Sequence, residues 1–193
     1  MIKVDEGTLA IVTGAAKGNG KAIADIIEEA GARVIRVDLL KCNKDEDSFI
    51  GEITNDGLIK NVVDYCSKQN YKTLVLINNA GVTFPNDYPY PKSDWDNTIA
   101  VNLSAPFKWI EAFIPLFKEV KNASIINITS LGAELAFPNN PAYIASKGGL
   151  KMLTKFYAKS LGGYGVRVNN VGPGYIVTDM TKGSYANQVI KER

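Results

Sequence analysis

Leu9-Ala10-Ile11-Val12-Thr13-Gly14-Ala15-Ala16-Lys17-Gly18-Asn19-Gly20 is the stretch that decides how this chain folds. Leu9 to Thr13 reads as a strand buried on both faces, because its apolar residues run consecutively instead of alternating with polar ones. Beyond the glycines, Ile23, Ile26, Ile27 and Ala30 recur at helical spacing, which predicts a helix over about 18–30 that Gly31 ends. A strand that turns through glycines straight into a helix leaves free backbone N–H groups at the positive end of the helix dipole, where an anion can bind. Gly14 suits the tight turn, Gly18 lets the backbone come close to a phosphate, and Gly20 lets helix pack on strand. Glycines that merely turn the chain would look the same in isolation.

Outward from this stretch the same alternation continues. Arg33 to Asp38, 48–53, Thr73 to Ile77, 123–129 and 166–171 read as further strands, with helices between most of them. Two of those helices are long, at about 103–120 and 142–161. Runs apolar on both faces require cover on both sides, so the expected fold is α/β, a doubly wound parallel sheet in three layers, in one domain over 1–193. Only nine residues, Leu39 to Asp47, join the second strand to the third, so that crossover is expected to be a loop rather than a helix.

Composition narrows the chemistry. With 193 residues, 46% hydrophobic and 22% charged, the chain suits one globular unit with a sizeable core. A net charge of +2 with no basic run argues against nucleic acid and against a membrane surface as partner. Lys3, Asp5 and Glu6 come closely after Met1, leaving no secretory apolar region, and no stretch reaches spanning length, so a cytoplasmic location is expected. Cys42 and Cys66 lie outside any CxxC or metal spacing and read as reduced, incidental thiols; no metal site is expected. There is no histidine. Ser-His-Asp hydrolysis is thereby excluded, and acid/base work near neutral pH falls to Tyr, Lys, Asp, Glu or Cys.

Two further features give the glycine stretch a context. Asp38 closes the second strand about twenty residues on, where a carboxylate can accept hydrogen bonds from both hydroxyls of an adenosine ribose and would repel a 2′-phosphate. Lys17 pulls the other way, but Leu39 offers no basic partner after Asp38, so NAD is expected as cofactor and NADP is less favoured. Tyr143 and Lys147 lie four residues apart, on one face of a helix that begins near Pro141. A free tyrosine titrates at about 10, and a neighbouring ammonium lowers that value toward one useful for proton transfer. A bare Tyr-x-x-x-Lys is also what any solvent-facing helical pair looks like.

Taken together, Thr13-Gly-x-x-x-Gly-x-Gly20, Asp38, Asn78-Asn-Ala-Gly81, Val101-Asn-Leu103, Ser130, Tyr143-x-x-x-Lys147 and Pro173-Gly-x-x-x-Thr178 resemble the short-chain dehydrogenase/reductase family, from about Leu9 to Met180. The resemblance implies a Rossmann-type fold and hydride transfer between NAD and an alcohol or ketone. It implies Tyr143 as general acid/base, Lys147 lowering its pKa and holding the nicotinamide ribose, Ser130 bonding the reacting oxygen, and Asn102 helping to hold a proton-carrying water. Gly14, Lys17, Gly18, Asn19 and Gly20 would form the phosphate loop, Asn19 replacing the isoleucine usual in the family. Glu52 and Ile53 would contact adenine, Asn79, Ala80 and Gly81 would line the adenosine ribose, and Asn78 would serve the sheet. Ile176 and Thr178 would hold the nicotinamide carboxamide.

For substrate, three segments stand out: 83–91, the stretch between Ser130 and Tyr143, and the residues past Thr178. Thr83 to Pro91 is rich in aromatics, prolines and amides, suited to a polyhydroxylated ligand or to a stiff surface loop. Glu134, four residues past Ser130, would bind sugar hydroxyls and repel acidic substrates, or simply be solvated. A sugar or polyol is expected first, then a cyclic diol or a 3-oxoacyl thioester. The family normally continues well past Pro173-Gly174, so the chain is expected to lack a lid and a last strand, leaving 166–171 as a sheet edge. A homo-oligomer, dimer or tetramer joined through the two long helices, is therefore expected, with an NAD-binding but inactive protein as the alternative function.

Overall fold

A strand apolar on both faces folds only where both faces are covered, and the computed structural model, which describes residues 3–42 and 47–181, provides that cover. In chain order the elements are β1 (Thr8–Thr13), α1 (Gly18–Glu29), β2 (Arg33–Asp38), β3 (Ser48–Ile50), α2 (Asp56–Cys66) and β4 (Thr73–Asn78). Next come α3 (Lys92–Ile99), a π-helical turn (Ala100–Ser104), α4 (Ala105–Glu119), β5 (Asn122–Ile128), α5 (Pro141–Leu161) and β6 (Val166–Val171). The strands form one parallel sheet in the order β3-β2-β1-β4-β5-β6. The order reverses at β1, so this is the doubly wound Rossmann arrangement, with its crevice at the carboxyl ends of β1 and β4.

Alternation along β1 divides the core. Leu9 and Ile11 face a layer built with Trp109, Ile110, Phe113, Phe117 and Tyr157 of α4 and α5. Ala10 and Val12 face the opposite layer with Ala24 of α1, Val34 and Ile77. Each large side chain fully buried this way contributes about 1.5–3 kcal/mol from apolar burial. Trp109, Phe113 and Phe117 run up α4 at successive turns, with ring centroids 6.0 and 5.9 Å apart. The indole N–H of Trp109 donates to the Ile53 carbonyl at 2.9 Å, so the buried ring leaves no polar atom unmet and fixes the residues after β3.

Two elements differ from the sequence expectation. The third strand is three residues long, not 48–53, because only Ser48, Phe49 and Ile50 pair with β2 before Gly51 turns toward Ile53. The helix expected from 103 is the second half of a helical run that starts at Lys92 and passes through the π-turn. In that turn the Ala105 N–H reaches the Ala100 carbonyl, five residues back. Buried Asn102 falls inside it and breaks the apolar periodicity that would have joined the halves. Of the β2–β3 connection, residues 39–42 and 47 are described and carry no helix.

Candidate active site

The phosphate loop is held from below. Thr13 Oγ1 accepts the N–H groups of Asn79 and Ala80, each at 3.1 Å, joining the end of β1 to the end of β4. Asn79 Nδ2 donates to the carbonyls of Thr13 (3.0 Å) and Gly14 (3.2 Å). Gly14 has φ 68° and packs so closely that a Cβ there would lie 2.8 Å from Ala80 Cα. At Gly20 an added Cβ would meet the Gly14 carbonyl oxygen at 1.9 Å. These two positions admit glycine alone. The Nδ2 end of the Asn79 amide is thus engaged with the loop, and Asn78 donates to Asn127 Oδ1 at 2.9 Å within the sheet.

Around this loop the remaining expected residues converge. Lys17 is exposed at the N-cap of α1, with Gly18 and half-buried Asn19 behind it. Gly18 lies next to Thr178, whose Cγ2 would be 3.6 Å from a Cβ built there. Ile176 is exposed nearby in the chain, and Thr181 Oγ1 bonds its carbonyl at 2.6 Å. Asp38 faces the loop: Oδ2 accepts from the Ala16 N–H at 2.9 Å and Oδ1 from the Leu40 N–H at 3.0 Å. Each oxygen keeps a lone pair for a further donor. Glu52 is exposed and Ile53 buried, at the open end of β3.

The proton-transfer residues gather at the ends of β4 and β5 and the start of α5. Lys147 is buried and donates to the Ile128 carbonyl at 2.9 Å. Its Nζ lies 5.7 Å from the centre of the Tyr143 ring. Gly81 brings the β4 end against the same group, since a Cβ there would be 3.5 Å from Lys147 Nζ and 3.2 Å from Asn102 Oδ1. Ser130 Oγ accepts the Gly132 N–H at 3.1 Å, which aims the hydroxyl, and Ser130 is the side chain that pulls the Tyr143 phenol down. Asn102 takes both polar groups of Val82, donating to its carbonyl at 2.9 Å and accepting its N–H at 2.8 Å. Its side chain is thereby committed. Its main-chain carbonyl lies four residues before Pro106, which has no N–H to give it.

Burial sets the protonation of the pair. Desolvation raises the Tyr143 phenol above its usual value, with the Ser130 hydrogen bond pulling the other way. The Lys147 ammonium donates to the Ile128 carbonyl, 5.7 Å from the centre of the Tyr143 ring. Lys147 itself is brought down to about 8 by burial.

Residues 8–189 match the family described as short chain dehydrogenase. The chain belongs to the short-chain dehydrogenases. Members of this family are oxidoreductases of alcohol and keto groups that use a nicotinamide cofactor. This short-chain dehydrogenase is 36% identical over 190 residues to the 3-oxoacyl-[acyl-carrier-protein] reductase FabG of Thermotoga maritima, covering 92% of this chain and 77% of that one. Among solved structures it resembles a Beutenbergia cavernae protein assigned as an NAD(P)-dependent gluconate 5-dehydrogenase with bound NADP. The TM-score is 0.87 at 27% identity, over 96% of this chain and 79% of that one. A 4-hydroxyisoleucine dehydrogenase complexed with NADH gives 0.85 at 28% identity, over 96% and 80%.

The geometry also revises the sequence reading. Glu134 pairs through Oε1 with Lys151 of α5, a contact the sequence reading did not foresee, and its side chain stays 56% exposed. Asn127, Thr154 and Ser146 escaped the sequence reading. Asn127 Nδ2 donates to Thr154 Oγ1 at 2.9 Å, and Asn102 Nδ2 to Ser146 Oγ at 3.2 Å, so both asparagines beneath the site hang from α5. A polar residue inside an otherwise apolar strand, as Asn127 is in β5, was the available signal.

Proposed function

We propose that this dehydrogenase transfers hydride between NAD and a secondary alcohol or ketone, with Tyr143 moving the hydroxyl proton. The observation that carries this reading is the meeting of Ser130, Tyr143 and Lys147 on one side of Gly81, with the Gly14–Gly20 loop and Asp38 on the other. The residues fit a dinucleotide. Gly14 and Gly20 leave no room for side chains where the loop is tightest, the Gly18 backbone is exposed beside Thr178, and Asp38 keeps acceptor capacity for ribose hydroxyls. When bound, the nicotinamide supplies the hydride chemistry.

The chain's own residues supply the rest. Ser130 orients the reacting oxygen beside the Tyr143 hydroxyl, and Tyr143 gives or takes the proton there. Lys147, held by Ile128, restores charge balance as the phenol ionises. The Asn102 carbonyl, to which Pro106 four residues on cannot donate, offers a water a place from which the proton leaves toward solvent. Two hydrogen bonds from backbone N–H groups hold the Asp38 side chain in place at the proposed ribose position, which favours NAD over NADP even though the gluconate 5-dehydrogenase neighbour was solved with NADP.

A sugar or polyol is the proposed substrate, supported by the amide- and hydroxyl-bearing segment Thr83 to Asp87 over the site and by the gluconate 5-dehydrogenase neighbour. The apolar side of the entrance, with Leu131 and Leu135 exposed and the rings of Phe137 and Tyr175 6.3 Å apart, favours a second reading, a 3-oxoacyl thioester as in the Thermotoga relative. The protomers are proposed to pair through α4 and α5. The test is NAD reduction measured across polyols, sugars and secondary alcohols, with NADH oxidation by a 3-oxoacyl thioester beside it. Tyr143→Phe should lower kcat by about 10²–10⁴ and keep NADH binding. Unchanged turnover in that variant would remove Tyr143 from the mechanism.

A further inference from the structure

The loop after Gly81 is fastened to the segment that precedes α5. The Asn86 N–H donates to the Asn139 carbonyl at 2.8 Å, Asn139 Nδ2 to Asp87 Oδ1 at 2.9 Å, and Asn140 Nδ2 to Thr83 Oγ1 at 2.7 Å. Asn139 holds a left-handed backbone, φ 58°, to make its two bonds. Asn140 is the more unusual of the pair. It occupies the N-cap of α5, where an asparagine ordinarily accepts from a backbone N–H of the first turn, yet its side chain caps nothing. The amide is turned toward Thr83, and its Oδ1 is buried without any partner. A buried amide oxygen left unmet is costly, and this one forgoes a cap as well. Rotating the amide by half a turn exchanges its ends and still leaves one of them free.

Position gives that free end a purpose. Asn140 precedes Tyr143 by three residues, so it stands beside the tyrosine at the first turn of the same helix. Thr83 lies two residues past Gly81, which touches Lys147 from the other side. Thr83 Oγ1 receives the Asn140 N–H and keeps its own proton for another acceptor. One unmet acceptor and one available hydroxyl proton side by side match what a hydroxyl group needs, since a hydroxyl both donates and accepts.

We propose that Asn140 and Thr83 form a subsite for a second hydroxyl, carried on the carbon next to the reacting one, so that the substrates are vicinal diols and the corresponding α-hydroxyketones. The second hydroxyl donates to Asn140 Oδ1, which has no partner within the protein itself, and accepts from the Thr83 hydroxyl. A simple alcohol leaves both groups unmet, and a site built to bond a hydroxyl rejects the analogue lacking it. The inference rests on the reading of Tyr143 as the proton-transfer group of an alcohol dehydrogenase.

The experiment compares cyclohexane-1,2-diol with cyclohexanol. Calorimetric titration of each into the NADH-bound protein should give a diol preference of about tenfold or more in affinity, as one well-met buried hydrogen bond supplies. Asn140→Leu and Thr83→Val should each bring the ratio of the two affinities close to one, while Asn140→Asp, which keeps an acceptor, should retain a preference. Steady-state NAD reduction with the same compounds should show the same change in the ratio of kcat/KM values. A ratio equal in the wild type and both variants, or no diol preference at all, overturns the subsite. Absence of turnover with either compound and with the wider alcohol screen overturns the proposed function instead, and the binding ratios still decide the subsite.

Discussion

Lys147 is buried against the Ile128 carbonyl, and that burial brings it down to about 8. The sign of its effect on stability comes from proton counting. Below the folded value the ammonium is protonated in both states, and the native state carries the whole cost of burying it. Between about 8 and the unfolded value the unfolded chain holds more protons, so stability attributable to this residue rises with pH. Lys147→Met should be more stable than the wild type near neutral pH, with the gap closing toward about pH 10; urea unfolding across that range checks it. A gap independent of pH across that range would mean that the buried amine keeps its proton as long as the unfolded chain does, so that burial does not lower its value. Asp38 makes a second residue-scale prediction. Its oxygens already hold the Ala16 and Leu40 N–H groups, so the carboxylate cannot swing away from a 2′-phosphate. Asp38→Asn should lower the ratio of NAD to NADP efficiency by about tenfold or more, read as kcat/KM for each cofactor.

At the scale of elements, the crossover too short for a helix raises the question of what anchors β3. The answer is a side-chain cluster. Arg33 of β2 makes a two-pronged pair with Asp47, each bond 2.7 Å, and also donates to Tyr65 of α2 and to Gln69 at 2.7 Å. Tyr65 donates to Asp47 at 2.8 Å and meets the Phe49 ring of β3 edge-on at 5.4 Å. The Arg33 hydrogen bond is the first cause holding the Asp47 carboxyl below its usual value. Arg33 is nearly half exposed, so solvent screens the cluster, and Arg33→Met should cost about 1 kcal/mol in urea unfolding. Its sharper consequence is a raised KM for NAD with little change in kcat, because β3 leads directly to Glu52 and Ile53. The sequence disclosed five of the six parallel strands to within a residue, because burial on both faces leaves an unbroken apolar run, and it overran only the short edge strand β3 by three residues. It disclosed the glycines, Asp38 and the Tyr143–Lys147 pair because each answers a local demand of turn or spacing. It could not disclose the π-turn, whose register depends on Asn102 reaching Val82, nor the Asn140–Thr83 and Arg33–Asp47 links. Those contacts join segments far apart in the chain, and no local pattern encodes them.

On the whole molecule, an apolar surface among the described residues is left that the fold itself does not explain. Phe107 of α4 and Met152 and Phe156 of α5 are 45%, 62% and 58% exposed, and with Leu103, Gly149 and Leu153 they line one shallow apolar hollow. The groups lie on helices whose opposite faces are packed into the core through Trp109, Phe113 and Tyr157, so neither helix can rotate to hide them. Gly149 adds a close fit, since a Cβ there would meet Leu103 at 3.0 Å, and the backbone of α5 is laid bare beside it. A contiguous apolar face of this kind marks an association surface, and two copies related by a twofold axis would each cover the other's hollow. The proposed dimer therefore predicts a concentration-dependent sedimentation coefficient and a Tm that rises with protein concentration. Phe156→Glu, combined with Met152→Lys, places charges where the interface would exclude water. That double variant should sediment as a monomer and lose the concentration dependence of Tm, with NADH binding intact because the Gly14–Gly20 loop lies in a different part of the fold. A variant that still sediments as the wild type does would place the interface elsewhere.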